Sequence, residues 1–306
     1  MNPLPGHRVM TAPEWLLLVA LSLVWGGSFF FFEVGLRHLP PFTLVLGRVG
    51  IAALVLLGVV WLSGHRVRLS RSLVRRYLLL GGINNALPFS LIALGQTQIT
   101  SGLASILNAT TPLFTLIVAH FWTTDDRMSP NRVLGIVLGM AGVAVLIGPD
   151  LLAGLDLYNL GQLSVLGAAL CYGVASNYGR RFGDQPPVVN ATGMLCGASV
   201  WMLPVAAVTD QPWTLSPGLA GWGAVLAIAV VCTALAFMLY FRLLATAGAT
   251  NISLVTLLVP VSAISLGWLF LGERLGLSAW AGMGLIFLGL ASVDGRLLKR
   301  WGARRR

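Results

Sequence analysis

The sequence predicts an all-α membrane protein of ten transmembrane helices, arranged as two inverted repeats of five. Three observations carry that prediction. Of the 306 residues 57% are hydrophobic and only 10% charged, with a mean hydropathy of +0.84, a composition that a water-soluble domain cannot hide. Residues 94–142 are written again, with variations, at 243–289. Lastly, the basic residues gather on alternate loops.

Taken in order, the apolar runs of a length to cross the ~30 Å hydrocarbon core fall at 14–36, 41–62, 77–96, 101–122, 130–148, 159–179, 187–208, 219–244, 249–271 and 278–294. They are continuous, not alternating, so a closed β-barrel is excluded. The first is too long for the apolar region of a signal peptide. No small-residue cleavage site follows Gly26-Gly27-Ser28 before Glu33, so this span is expected to stay in the mature protein. Pro41 opens the second. The third is diluted by Asn84, Asn85, Pro88 and Gln96, and is kept because its counterpart at 219–244 is plain. The fourth carries Pro112 and the ninth Pro260, each interrupting a helix in mid-span. The fifth holds Gly135, Gly139 and Gly142, and the tenth Gly282, Gly284 and Gly289, small residues that let helices approach closely.

The duplication is specific in its spacing. Asp126-Arg127 precedes Gly135 by eight residues from the Arg, and Gly142 by seven more; Glu273-Arg274, Gly282 and Gly289 repeat those steps. The same 147-residue offset sets Trp25-Gly26 over Tyr172-Gly173. Residues 1–150 thus form one repeat and 151–306 the other. Five is odd, so the second half enters the bilayer upside down. Inverted repeats are the mark of alternating-access transporters, whose substrate sits at the repeat interface near the midplane.

Charge fixes an expected orientation. With both termini inside, the cytoplasmic segments hold 17 of the 20 basic residues, among them Arg66 to Arg76 and Arg304 to Arg306, while the outer face holds only Arg37 and Arg274. That is the positive-inside pattern of an inner (plasma) membrane protein. The formal charge of +10 therefore reads as orientation and anionic-lipid contact, with no nucleic-acid partner. Cys171, Cys196 and Cys232 stand singly in separate spans, without metal-ligand spacing. Nucleotide-binding loops, hydrolase motifs and paired intramembrane aspartates are absent, so neither an enzyme nor a cofactor is expected.

Four features, in order, carry a family resemblance. Trp25-Gly26 with Ser28-Phe29 lies late in span one; Pro41 is followed seven residues later by Arg48; SGLASILNATTPLF occupies 101–114; and LGERL at 271–275 precedes a glycine-marked helix. Over essentially its full length the chain resembles the EamA branch of the drug/metabolite transporter superfamily. The resemblance implies ten helices around a central cavity lined mainly by spans 1, 3, 4, 6, 8 and 9, with 5 and 10 peripheral. It also implies small-metabolite substrates, including amino acids moved outward. Two departures stand out: Asp125-Asp126-Arg127 replaces the usual Gly-Glu-Arg, and no Arg in span seven answers Arg48.

The candidate site residues follow from polar placement in lipid, where an unpartnered polar group is costly. Span four carries Ser101, Ser105, Asn108, Pro112 and Thr115 on one helical face, with Thr111 beside it. Helix-to-helix hydrogen bonding is the competing explanation of such a stripe. Span three offers Asn85, Phe89 and Gln96; span nine offers Thr256. The amides both donate and accept, which suits a neutral or zwitterionic ligand. Trp25, Phe29, Tyr172, Phe237 and Tyr240 can present ring faces to an ammonium or an aromatic group. Ser28 and Ser176 lie beside the paired Trp-Gly and Tyr-Gly motifs. Arg48 is the one basic residue well inside a span, and Glu33 is its expected partner by snorkelling toward the outer edge; capture of a substrate carboxylate is the alternative. Pro112, Pro260, Glu33 and Arg48 are thus structural or gating candidates. The expected protein is an exporter of small metabolites, amino acids foremost, working as a monomer or homodimer by facilitated diffusion. A proton-coupled multidrug or nucleotide-type exchanger is the rival, and a membrane scaffold or intramembrane enzyme the rival of another class.

Overall fold

The computed structural model describes residues 10–65, 69–122, 130–147, 156–179 and 185–294. Among them eight helices are long and apolar enough to cross a membrane: α1 Ala12–Leu36, α2 Pro41–Leu62, α3 Arg71–Gln96, α4 Ser101–Trp122, α5 Pro130–Ile147, α6 Leu157–Gly179, α7 Pro187–Thr209 and α8 Gly218–Ala247. Two shorter apolar helices follow, α9 Val255–Leu271 and α10 Leu277–Val293. The protein is a multi-pass membrane protein.

Local chemistry sets the boundaries. The Glu14 carboxylate accepts the Thr11 backbone N–H at 2.8 Å, so an acidic residue stands in the first turn of α1 as part of its cap. Ser70 accepts the N–H of Leu73 at 3.1 Å, and this N-cap lets α3 begin at Arg71 rather than at the expected 77. Hydropathy hid the extra turns because Arg71, Arg75 and Arg76 fill them. In turn, α9 starts later than expected: a separate turn, Ala249–Ile252, occupies the predicted start. Gly272 ends α9 in the left-handed region, φ 69°, a conformation that suits glycine. The reversal carries Glu273 back over the start of α4, where its carboxylate accepts the N–H groups of Ser101 (2.9 Å) and Gly102 (3.1 Å) and the Ser101 hydroxyl (2.9 Å). Similarly, Asp210 at the end of α7 accepts from the N–H (2.6 Å) and hydroxyl (3.1 Å) of Thr43 at the start of α2.

Packing follows a two-fold pattern. The pair α1·α9 is matched by α6·α4, α3·α7 by α8·α2, and α3·α6 by α8·α1, while α2 packs on α7 and α5 on α10. Each of these last two pairs joins a helix to its own counterpart. In α5·α10 a methyl added to Gly135 would lie 2.6 Å from the Gly289 carbonyl oxygen, and one added to Gly282 would lie 2.7 Å from that of Gly142. Those two contacts exchange under the 147-residue offset, and they require the helices to run antiparallel. Asp210 on Thr43 gives α2 and α7 the same relation. Gly26 of α1 seats against Ser262 and Ala263 of α9, and its mate Gly173 of α6 seats against Phe114 and Thr115 of α4. The repeated aromatic-glycine motif is therefore a helix-crossing device.

Candidate functional site

Between the two halves lies a cavity of about 410 Å³. Its wall draws on α1, α2, α3, α4, α6, α7, α8 and α9, so α2 and α7 join the six helices that the sequence resemblance implied. From α1 come Trp25, Ser28, Phe29 and Phe32, and from α6 Tyr172 and Ser176. The paired aromatics meet the opposite half symmetrically: Trp25 lies 5.6 Å from Tyr240 of α8, and Tyr172 lies 6.5 Å from Phe89 of α3. Phe237 and Thr256 complete the wall from α8 and α9.

Irregular backbone shapes this wall. Helix α4 is interrupted between Asn108 and Thr111. Pro112 has no N–H for the Asn108 carbonyl, and the Thr111 hydroxyl donates to that carbonyl instead, at 2.7 Å. The break places Ser105, Asn108, Ala109 and Thr111 on the cavity. Pro260 lies inside α9, buried behind the wall, while Thr256 four residues earlier faces the cavity. A π-helical turn, Gly82–Ala86, interrupts α3 just before Pro88, and a second, Ala227–Leu235, interrupts α8. The offset carries 82–86 onto 229–233, inside the second turn. Such turns widen a helix and gather at functional sites; here they bring Asn84 and Asn85 from one half, and Cys232 and Thr233 from the other, to the wall.

Several expected residues take other positions. Gln96 lies off the cavity: its Nε2 donates to the Phe29 carbonyl at 2.9 Å, tying α3 to α1. Ser101 is spent on Glu273. The Thr115 hydroxyl donates to the Thr111 carbonyl at 2.9 Å, and the Thr115 carbonyl in turn accepts from Asn177 at 2.9 Å. The expected Arg48–Glu33 pair is corrected. Glu33 lies 3.6 Å from Arg37, one turn away on its own helix. Arg48, 6% exposed, turns inward instead. Its Nε–H donates to the Thr233 hydroxyl at 3.0 Å, and its guanidinium carbon stands 3.6 Å from the centre of the Phe89 ring and 5.1 Å from that of Phe32.

Sequence reasoning missed Thr233, Phe32 and Met194, all of which line the cavity. A threonine in AIAVVCTAL carries no signal until the π turn aims it. Both side-chain amide atoms of Asn85 and the Oδ1 of Asn108 are sealed from solvent and without a hydrogen-bond partner among the described residues. Amide atoms left so lack the partner that buried polar groups ordinarily have. No group of three or more His, Cys, Asp and Glu side chains that could hold a metal occurs among the described residues.

Comparison with known proteins bears on this arrangement. The profile of the EamA-like transporter family matches twice, over residues 13–148 and 159–293, once in each half. The "Uncharacterized transporter YoaV" of Bacillus subtilis is 25% identical over 278 residues, spanning 89% of this chain and 94% of that protein. The "Uncharacterized inner membrane transporter YedA" of Escherichia coli K12 is 26% identical over 282 residues, 92% of this chain and 90% of its own. A solved crystal structure superimposes with a TM-score of 0.66 at 20% identity, covering 95% of this chain and all of that one, a likeness of fold alone. With a match in each half, two related relatives and a cavity between the halves, the chain belongs to the EamA-like transporter family.

Proposed function

We propose that this membrane transporter exports small metabolites, amino acids foremost, by alternating access and down the substrate's own gradient. In this reading α1–α10 are ten transmembrane helices, with residues 1–150 and 151–306 forming two inverted repeats that rock about the central cavity. Both termini lie in the cytoplasm, and the membrane is the inner (plasma) membrane. The observation that supports it most is the placement of the cavity: it lies between the halves, takes its wall from both, and sits where helices are interrupted in pairs. Broken helices around a central site are how inverted-repeat carriers bind substrate. Arg48 and Asn108 together with the rings of Trp25 and Tyr240 line that site with both polar and aromatic groups.

The test is counterflow in proteoliposomes loaded with unlabelled amino acids, with sugars and nucleobases as comparison substrates. Labelled amino acid should accumulate transiently against its loaded counterpart. Asn108→Ala and Trp25→Ala should each reduce the flux while leaving folded protein in the membrane. Full flux and affinity in both variants would remove the cavity from the transport path.

A further inference from the structure

We infer that Arg48 is the anchor for a singly charged oxyanion, the carboxylate of the carried metabolite. This rests on the transport reading above and adds to it the chemical group that the substrate must bear. A guanidinium that is 6% exposed inside a membrane helix is costly unless its charge is met. Among the described side chains no carboxylate meets it. Glu14 is held by Thr11, Glu33 by Arg37, Asp156 by the Asn159 N–H, Asp210 by Thr43, and Glu273 by Ser101 and Gly102. None of the cavity-lining residues among those described is acidic.

The side chain is nevertheless held firmly. The Thr233 hydroxyl accepts from Nε at 3.0 Å and itself donates to the Ile228 carbonyl at 2.8 Å, so it is fixed in the accepting orientation. Phe89 and Phe32 cover the guanidinium at 3.6 and 5.1 Å, and stacking of this kind orients the planar group without satisfying its donors. The two terminal nitrogens make no hydrogen bond among the described residues. Unlike the amide atoms of Asn85, they are not sealed in protein, and Arg48 lines the cavity. A planar fork presented this way matches the two oxygens of a carboxylate. One cation also sets the charge: a monoanion neutralises the site, whereas a dianion leaves it negative in a low-dielectric cavity. The Trp25 and Tyr240 rings on the same wall can face an ammonium, so a zwitterion fits. The carboxylate is the required part and the amine the optional one.

The experiment measures binding to the full-length protein in detergent by titration calorimetry, with matched probes. The pairs are 4-methylpentanoate and 4-methylpentanamide, benzoate and benzamide, and L-leucine and L-leucinamide; 3-methylbutyl phosphate serves as the dianion. Each carboxylate should bind on the order of 10- to 100-fold more tightly than its amide, the range of a charged hydrogen-bonded contact. That preference should vanish in Arg48→Gln and persist in part in Arg48→Lys, which keeps the charge but not the fork. The wild-type pairs are decisive even if Arg48→Gln fails to fold. Equal binding of amide and carboxylate, a carboxylate preference that survives in Arg48→Gln, tighter binding of the phosphate, or no binding by any probe would each overturn the assignment. Arg48-dependent carboxylate binding without counterflow would leave the anchor standing and sink the transport reading. Counterflow that is indifferent to the carboxylate would do the reverse.

Discussion

Replacing Gly26 by Ala tests the helix crossing on which the cavity is built. The added carbon would lie 2.9 Å from the backbone nitrogen of Ala263 and 2.9 Å from the Ser262 Cβ. Comfortable carbon contacts begin at about 3.5 Å, so α1 and α9 must separate by roughly half an ångström or more. Overpacking of that kind costs about 1–3 kcal/mol, against a gain of about 1 kcal/mol from the better helix propensity of alanine. The net expectation is a loss of about 0–2 kcal/mol. Gly173→Ala should behave alike, because its added carbon would lie 2.9 Å from both the Phe114 carbonyl carbon and the Thr115 nitrogen. The controls are Gly50 and Gly58 of α2, where an added carbon meets nothing within 4 Å. There the propensity gain stands alone, and stability should hold or rise by up to about 1 kcal/mol. Unfolding of each variant in mixed micelles with increasing sodium dodecyl sulfate, followed by circular dichroism, reads the difference. If Gly26→Ala and Gly173→Ala were as stable as Gly58→Ala, the crossing argument would be refuted.

Other expectations follow from the same structure. Glu273→Ala leaves three donors at the start of α4 without their acceptor and should cost about 2–3 kcal/mol. Glu273→Gln should fall between it and the wild type in the same unfolding assay. The segment from Arg66 to Arg76 and the terminal Arg304 to Arg306 should be labelled at introduced cysteines only from the cytoplasmic face; outer-face labelling of either would reverse the orientation. Transport should need no proton gradient. Uphill accumulation driven by an imposed pH gradient, and lost in Glu33→Gln, would instead make Glu33 a coupling residue.

How much of this was legible in the sequence depends on the kind of signal. Helices announce themselves by apolar length, and the duplicated Trp-Gly and Tyr-Gly motifs announced the repeat; that each glycine seats a helix crossing became apparent only from the backbone contacts of Gly26 and Gly173. The polar stripe of span four was legible as a face but not in its use. Ser101 and Thr115 share that face with Asn108, yet only the break at Pro112 decides which of them meets the cavity. Arg48 was visible as an intramembrane charge, and Glu33 was the nearest carboxylate along the membrane normal. Depth in the bilayer does not report rotation about the helix axis, and that rotation turns Arg48 toward Thr233 and Phe89. The π turns left no trace in hydropathy, since an extra residue in a helical turn changes register and not composition. Their equivalence across the repeats became apparent only from the backbone.

The central claim is that one cavity between the two halves opens in turn to each side of the membrane. Ser28 lines that cavity from α1, and Ser28→Cys, with Cys171, Cys196 and Cys232 replaced by Ala, places a single reporter there. A membrane-impermeant methanethiosulfonate reagent is applied to right-side-out and then to inside-out vesicles, with and without saturating L-leucine. Modification from both faces, slowed from both by the amino acid, is the predicted result. Modification from one face alone, unchanged by the amino acid, would contradict alternating access through this site.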